Sequence, residues 1–160
     1  MTNHHNHDCC CNHGHDHNHG EQGCCGQHKP VKNEANLTQN ERDFLHHLSH
    51  IKYLPLASFV TKSTKESSFA IIALQPVFIR SVADTMDDIR ECGEFLLGLE
   101  QKGFITLDYD IPLDGYAYDE YKNSELFVRY SEVVAEGAKQ ENFLGDIPTI
   151  EFGSIAIVED

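Results

Sequence analysis

The sequence predicts a mixed α/β chain of the α+β kind: one domain over residues 37–160, preceded by a disordered tail over residues 1–28 and a short linker over residues 29–36. Three observations lead there. From Thr2 to Pro30 there is no aliphatic, phenyl or phenol side chain, so this stretch buries nothing that would offset the entropy of ordering its backbone. Beyond Leu37, segments of helical period alternate with β-branched and aromatic runs. What remains after the tail has the length of one ordinary domain, enough for one hydrophobic core.

Thr38-Gln39-Asn40-Glu41 has the pattern of a capping box. Phe44, Leu45, Leu48 and Ile51 follow at helical spacing, which predicts a helix over residues 38–50. Pro55 is expected to end the turn after it, with a second short helix over residues 56–60. The Ile, Val and Phe of residues 69–79 predict a buried strand in which Pro76 marks a defect or an edge. A longer helix is expected after Asp84, with Ile89, Cys92, Phe95, Leu96 and Leu99 on its apolar side and Gly103 as its C-terminal cap. Cys92 there reads as a small buried hydrophobe. Residues 103–110 alternate as a strand, and a connection rich in Tyr and Asp follows. Leu126, Phe127, Tyr130, Val133 and Val134 predict a helix over residues 124–137, and Ile150, Phe152 and the run 155–158 a last strand.

The segment from Phe95 to Ile105, FLLGLEQKGFI, resembles the end of the third helix of a winged-helix domain entering its first wing strand, and the opening Leu37-Thr38 with Glu41 resembles the first helix of that fold. The resemblance implies a winged-helix-like domain, although a long strand stands where the family has a short second helix. In DNA-binding members the third helix enters the major groove. Here Asp84, Asp87, Asp88, Glu91, Glu94 and Glu100 are opposed in that segment only by Arg90 and Lys102. The whole chain has a net charge of -14, and from Leu37 onward 10 Lys and Arg stand against 22 Asp and Glu. Binding to nucleic acid draws on neutralisation of phosphates, so this balance argues against it and in favour of protein contact or a homodimer. No apolar run approaches the roughly 20 residues that span a bilayer, and the chain opens without a basic and apolar leader, so the expectation is a cytoplasmic protein with no membrane segment.

The tail carries the chemistry. His4, His5, His7, Cys9, Cys10, Cys11, His13, His15, His17, His19, Cys24, Cys25 and His28 comprise eight of the chain's 11 His and five of its 6 Cys. Imidazole and thiolate are ligands for Zn, Ni, Co and Cu(I), whereas calcium and magnesium want clustered oxygens, which Asp8, Asp16 and Glu21 supply too sparsely. Alternate residues of an extended chain stand roughly 6–7 Å apart, so the tail must bend to clasp an ion, and its Gly and Asn residues permit that. Neither Cys pair has the two-residue gap of a zinc knuckle, which argues against one closed structural site. At about four ligands per ion, thirteen donors hold roughly three ions. A pure His run would mark an expression tag, but this one is interrupted by Asn, Asp, Gly and Cys; contiguous Cys blocks are also poorly placed for ordinary disulfides.

In composition this tail resembles the His-rich or His/Cys-rich extensions of bacterial metallochaperones and metal-storage proteins, notably those serving nickel and zinc enzymes. That resemblance implies buffering, storage or delivery of a transition metal, with a protein partner or metal client. The three-Cys block shifts the balance toward Zn or Cu(I).

Other constellations carry less. His46 and His50, four apart, fall with Asp43 on the side of the first helix away from Phe44 and Leu48, but His47 stands where a metalloprotease motif has Glu. Asp108, Asp110 and Asp114-Gly115 lack EF-hand spacing. Tyr109, Tyr116, Tyr118 and Tyr121 either pack over their loop or face a partner. No phosphate-binding loop, nucleophile elbow or triad pattern is present, so the reading is of a metal-binding protein rather than an enzyme. A metal-responsive winged-helix transcriptional regulator is the alternative.

Overall fold

The computed structural model describes residues 31–159. In chain order its elements are α1 (Gln39–Ile51), β1 (Tyr53–Lys62), β2 (Ala70–Val77), α2 (Met86–Gln101), β3 (Ile105–Asp108), α3 (Asp119–Lys122), α4 (Glu125–Gly137) and β4 (Ile147–Ile157). The strands form one antiparallel sheet in the order β2-β1-β4-β3. The α+β class is therefore as the sequence implies.

Helix boundaries follow local chemistry. The Thr38 side chain accepts from Glu41 N while Glu41 accepts from Thr38 N, the reciprocal box that opens α1. Thr85, not Asp84, caps α2 through a second such box with Asp88; Asp84 instead accepts from the backbone N–H groups of Arg80 and Ser81 and closes the preceding loop. At the other end Gly103 takes φ 81°, with Gly103 N donating to Glu100 O and Phe104 N to Leu99 O. A Cβ would resist that backbone, so glycine lets the chain turn directly into β3. Ser124 caps α4 and donates to Tyr121 O, its hydroxyl held at both ends.

The short helix expected over residues 56–60 is absent. Those residues are the middle of β1, and Pro55 lies within that strand opposite Ser154 rather than ending a turn. β1 pairs on both edges and is covered on both faces, so Leu56, Ala57, Ser58, Phe59 and Val60 are all buried. Burial on both faces erases the in-out alternation that identifies a strand. β4 is also longer than the expected last strand, beginning at Ile147 and running against β1 through ten residue pairs without a bulge. Among the described residues β2 pairs only with β1, with register shifts around Phe59, and it holds Pro76 after a cis Gln75–Pro76 bond.

Consecutive β1 residues serve two cores. Leu56 joins Leu48 of α1, Leu96 and Leu99 of α2, and Ile155 of β4 on one face. Ala57 and Phe59 join Val77, Ile79, Ile89 and Tyr121 on the other, with Phe127 and Tyr130 of α4 packed against them. Helices thus cover both sides of the central strands.

Candidate functional site

The thirteen expected ligands, His4 through His28, lie outside the described residues. The root of their segment lies within them. Val31 is exposed, and from Lys32 onward the linker is fastened to the domain. Lys32 Nζ donates to Val158 O at 2.6 Å, and Asn33 caps a single 3-10 turn, Glu34–Asn36. Arg42 donates to Glu34 O at 2.8 Å, and Lys102 Nζ to Asn36 O at 3.0 Å. The expected linker is therefore, from Lys32 to Asn36, a strap across the start of α1 and the ends of α2 and β4.

Glu41 anchors the Lys102 ammonium that holds the strap's end at Asn36. The residue is 8% exposed, and its carboxylate sits 2.9 Å from Lys102 Nζ through both oxygens. Burial works against its charge, but the Lys102 ammonium and the Thr38 N–H outweigh it and hold the carboxyl below its usual value. The pair also joins a carboxylate in the first turn of one helix to an ammonium at the end of another, each at the favourable pole of its dipole.

Arg42, His46 and His50 succeed one another at four-residue intervals on an exposed side of α1. The His46 and His50 rings are 4.6 Å apart at 64°, and His50 Nδ1 lies 2.8 Å from His46 O. Asp43 is engaged by Gln39 Nε2 at 2.8 Å. Among the described residues no group of three or more His, Cys, Asp or Glu is arranged to hold a metal ion. Two adjacent imidazoles are what this side of the helix presents.

Cys92 departs from its expected burial. It is half-buried and lines a groove of about 320 Å³ with Phe44, Phe78, Arg80 and Phe95, the Phe44 and Phe95 rings meeting edge to face at 5.4 Å. Burial pushes the thiol up, Arg80 opposes that, and the neighbouring carboxylates Asp84, Glu91 and Asp88 add to it. A thiol so held is protonated at neutral pH and a poor nucleophile. The groove escaped sequence reasoning because its walls come from α1, α2 and the segment after β2.

The Tyr-rich connection is structural at its base. Tyr118, left-handed at φ 55°, donates to Gly153 O at 2.6 Å and accepts from Leu113 N at 2.8 Å. Tyr121 is buried, accepts from Ile79 N and donates to Pro55 O. Burial drives its phenol far up, while burial and the Glu120 carboxylate raise Tyr116 to about 12. Asp108 is met by the Thr106 hydroxyl at 3.1 Å.

No helix among the described residues is long and apolar enough to cross a membrane. No family model matches the chain, and no curated protein matches it. Among solved structures, an uncharacterized protein from the hydrocarbon-degrading marine bacterium Alcanivorax borkumensis SK2 aligns at 16% identity with a TM-score of 0.40, over 78% of this chain and 81% of that one.

Proposed function

We propose that this chain is a cytoplasmic transition-metal-binding protein, without catalytic activity, that buffers, stores or delivers Zn, Ni or Cu(I) through residues 4–28 and contacts a protein partner through its acidic domain. One observation carries the reading: thirteen imidazole and thiol donors lie within 25 consecutive residues that contain no apolar side chain. The donor set fits a borderline or soft ion with about four ligands, and coordination supplies the cohesion that the segment's own side chains lack. Strapping of residues 32–36 to the domain supports it further, since a rooted tail keeps its metal at high local concentration beside whatever the domain binds.

The winged-helix component of the proposal rests on α1 and on the passage from α2 through Gly103 into β3, which correspond to the first helix, the third helix and the first wing strand of that fold. β1 and β2 stand in place of its second helix. The acidic α2 favours protein contact over DNA in this arrangement.

Deletion of residues 1–28 is expected to abolish most uptake of zinc, nickel and cobalt in equilibrium dialysis under reducing conditions, with the circular dichroism of the domain retained. A truncated protein that keeps the full stoichiometry contradicts the proposal.

A further inference from the structure

The longest stretch of this chain without a charged side chain is residues 67–79, and it contains β2. β2 ends the sheet, with β1 on one side and no described strand on the other. Ala70, Ile71, Ile72 and Ala73 are all exposed, Ile71 at 55% and Ile72 at 56%. Successive strand residues point to opposite faces, so these two isoleucines flank the open edge above and below. Folded proteins commonly blunt such an edge with charge, proline or brevity. Here Pro76 stands at the buried end and leaves the apolar half open. The opposite edge is blunted: β3 has four residues, exposes Thr106 and ends in Asp108.

We propose that β2 is a homodimerisation edge, on which a second copy of this chain adds its own β2 antiparallel about a two-fold axis near Ile72. The two four-stranded sheets then become one sheet of eight. Two features select a second copy as the occupant. An antiparallel strand pair is self-complementary, so the same residues meet across the axis and the interface closes at two chains. Electrostatics does the rest: two molecules each of net charge -14 repel one another, and they approach at least cost where neither presents a charge, which is the 67–79 window. Pairing gives partners to the outer backbone groups of β2 and removes the exposed isoleucines of both chains from water. This inference stands apart from the metal reading.

The test is sedimentation equilibrium on the full chain, reduced and with chelator present, so that neither disulfides nor tail-bound metal joins two molecules. The wild type is expected at twice the 18.1 kDa chain mass. Ile72→Lys places like charges across the axis and is expected to return the monomer mass with unchanged circular dichroism. Ile71→Lys is expected to do the same and serves if the first variant fails to fold. Thr106→Lys on the other edge is expected to leave the dimer intact. A wild type that stays at the chain mass up to its solubility limit overturns the proposal, as does a folded Ile72→Lys or Ile71→Lys that remains dimeric, or dissociation by Thr106→Lys.

Discussion

Lys102, the last residue to cap α2, reaches both carboxylate oxygens of Glu41 in the first turn of α1, and its third hydrogen bond goes to Asn36 O of the strap that precedes that helix. One ammonium thus joins two helix ends and the root of the tail. Helix capping alone explains only half of Glu41: the capping box needs one oxygen, and Lys102 takes both.

Glu41→Gln is expected to cost about 2 kcal/mol at neutral pH, since it leaves a partly buried ammonium without its counter-charge. Glu41 has a lower pKa folded than unfolded, so its contribution is complete above the unfolded value and is lost as pH falls through the folded one. Urea unfolding at pH 7 and again at pH 3 should show the gap between wild type and variant closing in acid.

Gly153→Ala is expected to destabilise by about 3 kcal/mol, at the upper end of overpacking costs. A Cβ there would come 2.0 Å from Asp108 O and 2.7 Å from Tyr109 Cα, and both are backbone atoms that no rotamer change can move. Thermal unfolding of this variant beside Gly98→Ala, where a Cβ meets nothing within 4 Å, separates the clash from the general effect of replacing glycine.

Tyr121→Phe removes one hydroxyl and strands two backbone groups, the N–H of Ile79 and the carbonyl of Pro55. The expected loss is about 2 kcal/mol, the cost of leaving buried polar groups unmatched. Denaturant midpoints at constant m-value would register it.

Metal uptake by the tail is expected to weaken as pH falls from 8 to 6, because protons compete for both thiolate and imidazole. Replacing Cys9, Cys10, Cys11, Cys24 and Cys25 by Ser is expected to remove the thiolate charge-transfer absorption of the cobalt-loaded protein while leaving imidazole-borne nickel uptake. Absorption spectra paired with dialysis read both effects.

Three of the helices, α1, α2 and α4, were legible because their signals are local, whereas α3 falls in the connection read only as rich in Tyr and Asp. Thr38 and Glu41 are three residues apart, as are Thr85 and Asp88, and Gly103 needs only its own φ and the preceding turn. β1 was not legible over residues 56–60, where a run buried on both faces has no alternation to read. The helix expected after Asp84 is capped one residue later, by Thr85, while Asp84 accepts from the N–H groups of Arg80 and Ser81.

By itself the sequence determined the donor chemistry of residues 4–28, the acidic balance, and the positions of the capped helices, all of which depend on composition or on contacts within a turn or two. Only the tertiary structure decided that β1 and β4 are the central strands, that β2 is an edge strand among the described residues, and that Lys32 and Asn36 strap the tail's root to Val158 and Lys102. The two strap bonds join residues 66 and 126 positions apart, and which distant backbone groups meet depends on how the whole sheet closes rather than on any spacing along the chain.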